Sequence, residues 1–252
     1  MDIWSRCKDA VVPGPLAGEL VRLVESQEQV ATNALVDSLA EQALLEELLE
    51  ASKPRLPPEA AGLHYLLASP FRYPPLRHGS RFGARHEPGL FYGSSRRRTA
   101  LAETAYYRLV FWSGMVRPPP SGHLTTEHTA FGAKFRVARG LRLDEPPFAA
   151  YADALTAPDD HGATQQLGQQ MRAAGIEAFA YLSARDPERG SNIALYGARA
   201  FTRPRPAWQE AWLCETRADR VAFYGKAQGT VDFPLALFLV GGVLPAPSVQ
   251  SA

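Results

Sequence analysis

The chain has 252 residues, 46% hydrophobic and 21% charged, which is enough length and apolar content to bury a sizeable core. Its 27 Lys and Arg nearly balance 26 Asp and Glu, for a formal net charge of +1; this removes any general argument for nucleic acid or an acidic membrane surface as a partner. Two distant cysteines, Cys7 and Cys214, do not make a disulfide framework and fit a reducing compartment.

The N-terminal stretch MDIWSRCKDAVVPGP lacks a basic region followed by an apolar run, so no signal peptide is expected. From Leu16 to Ala51 the apolar residues recur at spacings of three and four, among them Leu20, Leu23, Val24, Val30, Leu35, Leu39, Leu44 and Leu48. That periodicity predicts an N-terminal helical region, residues 1–57, with an interruption around Thr32-Asn33. Such a region either packs onto the main domain or mediates homodimerisation or partner docking. Prolines in SKPRLPP end it.

The second unit, 58–252, reads as α+β. PPEAAGLHYLLAS suits one short helix, and PFRYPP and GSRFG are extended and turn-like. GLFYGS reads as a strand, and Thr99–Trp112 as a helix with Thr99 as its N-cap. Residues 129–144 alternate like one or two strands, and Gly162–Ala174 is helical, stopping at Gly175. IEAFAYLSA, NIALYGARAF, AWLCETR and RVAFYG then follow as short strands. Strands and helices do not alternate regularly, which disfavours a doubly wound sheet. GxGxxG after a strand and GxxxxGK[ST] are both missing. The apolar run FPLALFLVGGVLPAP is too short to span a bilayer as a helix, so the expectation is a cytoplasmic protein without membrane contact.

Glu103 is the sharpest chemical clue. It shares a helix face with Ala100 and Tyr107, and a carboxylate there is costly to bury unless it is partnered. An ion pair with Arg98 or Arg108 is the plain explanation. Arginine density argues for more: Arg72, Arg77, Arg81, Arg85 and Arg96 to Arg98 crowd the preceding stretch, and a guanidinium fork matches phosphate. Arg96 to Arg98 read as solvated surface. Arg72 and Arg81 instead adjoin aromatics and Pro or Gly turns, where backbone can approach a ligand. Tyr73 and Tyr92 are candidates to stack on a ring, or are simply core.

The order Arg72-Tyr73, Ser80-Arg81-Phe82, Tyr92, Thr99-Ala100 and Glu103, with spacings of eleven from Arg81 to Tyr92 and eleven from Tyr92 to Glu103, resembles the RES family of bacterial toxins. The resemblance implies a fold similar to ADP-ribosyltransferases, with a mixed or antiparallel β core and few helices. It implies consumption of NAD+ as substrate, with no permanently bound cofactor and no metal. It further implies a toxin–antitoxin system with an Xre-like antitoxin as partner; the near-neutral overall charge speaks against direct contact with nucleic acid. On this reading Glu103 stabilises the ribosyl cation, Arg81 and Arg72 neutralise the pyrophosphate, and Tyr92 and Tyr73 position nicotinamide and ribose. Family members hydrolyse NAD+, phosphorolyse it or transfer ADP-ribose to protein, so the acceptor stays open between water, phosphate and a protein. A pocket that binds the nucleotide without cleaving it is the rival from a different class.

The chain departs from the family pattern at its serine. Thr99 stands where some relatives carry serine, and the neighbourhood of the later helix offers His161, Gly162 and Thr164 instead. Ser183 and Ser191, on the strands that follow, are the candidates to line the site. The remaining histidines show no convincing metal spacing; His123 and His128 are only five apart.

Overall fold

A computed structural model describes residues 1–26 and 36–246. Among these lie six α-helices and eight strands: α1 (Ile3–Cys7), β1 (Gly14–Glu25), α2 (Leu39–Ser52), α3 (Tyr65–Arg72), β2 (Phe91–Ser94), α4 (Arg97–Ser113), β3 (Leu124–Arg142), α5 (Ala152–Leu155), α6 (Gly162–Ala173), β4 (Ala178–Leu182), β5 (Ser191–Leu195), β6 (Trp208–Thr216), β7 (Arg220–Gly225) and β8 (Gly229–Pro234). The architecture is α+β, with a mixed sheet as expected.

Sheet order is β1-β2-β5-β4-β3-β6-β7-β8, and β1 also pairs with β3. The first five strands therefore close into a circuit, and β6 to β8 extend it. All pairings are antiparallel except β3 with β4. The long β3 makes this possible: it pairs with β6 over Leu124–Gly132, with β1 from His128 to Gly140, and with β4 from Gly140 to Arg142. Closure between β1 and β2 is slight, a single pairing of Val21 with Ser94. There the two strands splay, and the site opens between them.

The N-terminal helical region is corrected in its first half. Residues 14–25 form β1, an integral strand of the sheet. The helical spacing of Leu20, Leu23 and Val24 has a different cause. Leu20 and Val24 belong to one core cluster and Leu23 to another, so both faces of the strand are covered and apolar residues fall on odd and even positions alike. Gly14, Pro15 and Gly18 weaken any helix here. The second half holds: α2 is a helix, capped by the Ser38 hydroxyl on the Glu41 amide. The expected interruption at Thr32-Asn33, together with Val30 and Leu35, lies outside the described residues.

Two smaller corrections concern the helices that flank the site. Pro70, Phe71 and Arg72 are the last turn of α3 rather than extended chain. Helix α4 begins at Arg97, so Thr99 is inside it and is not its N-cap. Its core face, Leu101, Ala102, Ala105, Tyr106 and Leu109, packs on Trp212, Phe223 and Phe233 from the sheet extension. The face bearing Ala100, Glu103, Thr104 and Tyr107 is turned to the splayed strands. Strand β8, unforeseen in the sequence, hydrogen-bonds to β7 along its full length. None of the helices among the described residues is long and apolar enough to cross a membrane.

Candidate active site

The splay of β1 and β2, roofed by α4, encloses a cavity of about 350 Å³. Arg81, Tyr92 and Glu103 line it together, as the sequence predicted. Arg22, Arg185, Tyr181 and Asn192 line it too, and the sequence reading did not select them.

Glu103 is held by neutral donors. Ser183 Oγ donates to its Oε1 at 2.6 Å, and Asn192 Nδ2 donates to the same oxygen at 2.6 Å. Each donor is fixed from behind. Ser183 Oγ accepts the Arg185 and Asp186 amides, at 3.1 and 2.9 Å, which leaves its single proton for Glu103. Asn192 Oδ1 accepts from Ser94 Oγ at 2.6 Å, which turns its amide NH₂ toward the carboxylate. Oε2 accepts no hydrogen bond from the described residues. The plain ion-pair explanation fails: Arg98 pairs with Glu188 at 2.8 Å and Arg108 with Glu25 at 2.8 Å.

Three guanidinium groups line the same cavity as this carboxylate. Arg81 Nη1 donates to the carbonyls of Ala157 at 2.8 Å and Leu155 at 3.3 Å. Arg185 Nη2 donates to the neighbouring Pro158 carbonyl, and Arg22 Nη1 to the Tyr92 carbonyl at 3.0 Å. None of the three forms a salt bridge with a described residue. Desolvation pulls Arg22 down to about 10 and lowers Arg185 as well; each still carries its charge at neutral pH. Cations without counter-ions in a recess are costly unless an anion joins them.

The turn that carries Arg81 is built by hydrogen bonds. Tyr92 Oη accepts from the Phe82 amide at 3.1 Å and shares a bond of 2.9 Å with Ser80 Oγ. Gln165 Nε2, from α6, donates to the carbonyls of His78 and Ser80. A Cβ on Gly168 would lie 1.9 Å from the Phe82 carbonyl oxygen, so this helix reaches the turn only because glycine stands there. The Tyr92 hydroxyl is thus engaged with the Arg81 turn.

The other selected residues lie elsewhere. Arg72 is outside the cavity, with Nη2 on Glu50 at 2.7 Å and Nε on the Pro54 carbonyl at 2.6 Å. Tyr73 is exposed. Thr99 is fully buried and donates to Asp186 Oδ2 at 2.7 Å, which ties the Ser183–Gly190 loop to α4 without reaching the cavity. Ser191 is part-buried beside it, its carbonyl accepting the Ser95 amide. His161 is buried behind Arg81 and Arg185 rather than in the lining. Neither ring nitrogen finds a partner among the described residues, and burial, reinforced by those two cations, pushes it down to about 3. No group of three or more His, Cys, Asp or Glu among the described residues is placed to hold a metal.

The sequence model of the RES domain matches residues 55–222, more than half of the chain. The chain belongs to the RES domain family. Among solved structures, one described as "Crystal structure of the M.tuberculosis MbcT-MbcA toxin-antitoxin complex" is similar, at 12% identity and a TM-score of 0.46, over 91% of this chain and 91% of that one. That likeness is too slight to carry an argument. None of the curated proteins searched matches.

The RES match begins after β1, so it leaves out Arg22. Arg22 occupies the place by the cavity that the sequence reading gave to Arg72. A signal for it existed, since Leu20 to Val24 is a strand-like run between Gly18 and Ser26 with one cation at its middle. Asn192 offered a similar signal, a lone amide opening the apolar strand IAL. Arg185 offered none beyond its place in a polar turn.

Proposed function

We propose that this RES domain binds NAD+ and breaks its nicotinamide–ribose bond, and that in the cell it is a toxin restrained by a small Xre-like antitoxin. The observation that carries the reading is a charge pattern. Among the described residues lining the cavity, Glu103 is the one carboxylate, and Arg22, Arg81 and Arg185 are cations that form no salt bridge with a described residue. NAD+ has the complementary pattern: an anionic pyrophosphate, with a ribose bearing a cationic leaving group at one end.

One carboxylate suits this bond. A glycoside needs a second, protonated carboxyl group because its leaving oxygen departs as an anion. Nicotinamide departs neutral: the C1′–N electron pair moves onto the pyridinium nitrogen and cancels its charge. What remains is an oxocarbenium-like ribosyl cation, and a fixed negative charge beside it lowers the barrier. Ser183 and Asn192 hold Glu103 in place before substrate arrives, so little reorganisation is needed. The arginines take the pyrophosphate, and the Tyr92 hydroxyl holds the Arg81 turn in register. Family relationship supports the same assignment, because RES proteins resembling this sequence act on NAD+.

Incubation with NAD+, with and without inorganic phosphate, followed by identification of products, tests the reading. Released nicotinamide with ADP-ribose indicates water as acceptor, ADP-ribose phosphate indicates phosphate, and labelled protein indicates transfer. Intact NAD+ under all conditions would remove the catalytic assignment.

A further inference from the structure

Tyr106 belongs to the core face of α4, yet it touches two things that matter to the cavity. The Arg185 guanidinium carbon lies 3.5 Å from the centre of its ring, a close face-on stack. Its hydroxyl donates to the Pro245 carbonyl at 2.5 Å in a buried hydrogen bond. Pro245 lies well beyond residue 222, where the RES match stops. A C-terminal segment outside the family match is therefore joined through one aromatic ring to a cation of the cavity wall.

We infer that Tyr106 is a positioning residue for Arg185, and that the Pro245 carbonyl fixes the ring on which Arg185 rests, so that the C-terminal segment sets the grip of the site on an anionic ligand. The inference rests on the reading of the cavity as a nucleotide pyrophosphate site. A guanidinium has its donors in its plane and radiating from its edge. Stacking covers a face and consumes no donor, unlike an ion pair with a carboxylate, which occupies two. Arg185 is thereby placed by three constraints: the ring beneath it, the Pro158 carbonyl on Nη2, and its own backbone amide on Ser183 Oγ. The last of these is the same hydroxyl that holds Glu103. The ring also stands at 72° to Tyr107, centroids 5.0 Å apart, and Tyr107 lines the cavity. Movement of Tyr106 thus displaces a cation and an aromatic wall together, while the carboxylate stays on its own anchors.

The test is a double-mutant cycle in the full chain, read as calorimetric affinity for ADP-ribose, which carries the pyrophosphate and has no nicotinamide to lose. Tyr106→Leu is expected to weaken binding roughly tenfold, and Tyr106→Phe, which keeps the ring and loses only the hydroxyl, roughly two- to threefold. In an Arg185→Ala background both changes should lose most of their effect, leaving only what Tyr106→Leu transmits through Tyr107. With NAD+ as substrate the loss should fall on KM more than on kcat. Equal losses in both backgrounds would overturn the inference, because they would make Tyr106 a packing residue only. Should Tyr106→Leu not fold, Tyr106→Phe preserves the core volume and closes the same cycle. Failure of the unsubstituted protein to bind ADP-ribose overturns the pyrophosphate reading itself, and is distinguishable because it precedes any variant.

Discussion

Helix α4 carries two charged side chains five residues apart, Glu103 and Arg108, and they are treated in opposite ways. Arg108 points toward β1 and β6; it is buried, pairs with Glu25 at 2.8 Å and donates to Thr216 Oγ1 at 3.3 Å. Glu103 points to the cavity and is held only by a hydroxyl and an amide. Neutralising a charge by an opposite charge fixes structure but leaves little for a ligand. Holding a charge by dipoles fixes its position and leaves the charge itself uncancelled, which is what electrostatic catalysis requires. The cavity arginines follow the Glu103 pattern, resting on carbonyls, whereas Arg97 and Arg98 pair with Glu210 and Glu188.

The largest expected effect breaks the comparison on its catalytic side. Glu103→Gln keeps the shape and removes the charge, so nicotinamide release should fall by at least about 10²-fold, while the midpoint of chemical denaturation changes little. Loss of fold together with loss of activity would mean that Glu103 is structural after all. On the other side, Arg108→Met should cost about 1–2 kcal/mol of stability, since Arg108 is buried while Glu25 is half exposed and partly screened. Turnover per folded molecule should be unchanged. A large fall in turnover at full stability would erase the distinction between the two ends of the helix.

The last effect is nil at neutral pH and emerges only on acidification. His161 is held down to about 3 and His128 to about 4, in each case first by burial and then by arginine charge, from Arg81 and Arg185 for His161 and from Arg108 for His128. A histidine whose pKa is lowered in the folded state takes up its proton first in the unfolded chain. Its stabilising contribution is complete above the unfolded value near 6.5 and is lost as pH falls from there toward 3 or 4, at up to about 1.4 kcal/mol per pH unit per group. His161→Phe should flatten the fall in denaturation free energy between pH 6.5 and 4. An unchanged slope would show that His161 is not buried neutral beside the arginine pair.

Much of this was legible in the sequence, and for identifiable reasons. Arg81, Tyr92 and Glu103 were found because a turn, a strand end and a helix face each leave local marks, and their order along the chain is itself informative. The strand-rich α+β character, most of the helix (Thr99–Trp112 of the observed 97–113) and the glycine stop at Gly175 follow from nearest-neighbour preferences. Tyr92 shows the limit of such marks. Its place in the cavity was foreseeable, but the engagement of its hydroxyl with the Arg81 turn depends on where Ser80 and Phe82 come to rest.

The sequence by itself determined the kind of protein: a mixed α+β domain whose arginines, aromatics and one helical glutamate converge on a single site, with the RES pattern to name the family. Only the tertiary structure decided which cation serves that site. Arg22 and Arg72 both stand among apolar and aromatic residues, and apolar spacing cannot separate a strand covered on both faces from a helix covered on one. The pairing of β1 along β3 carries Arg22 to the splay beside β2, while Glu50 draws Arg72 away. Contacts made across so many residues of chain are set by the closure of the sheet, and no local pattern records them.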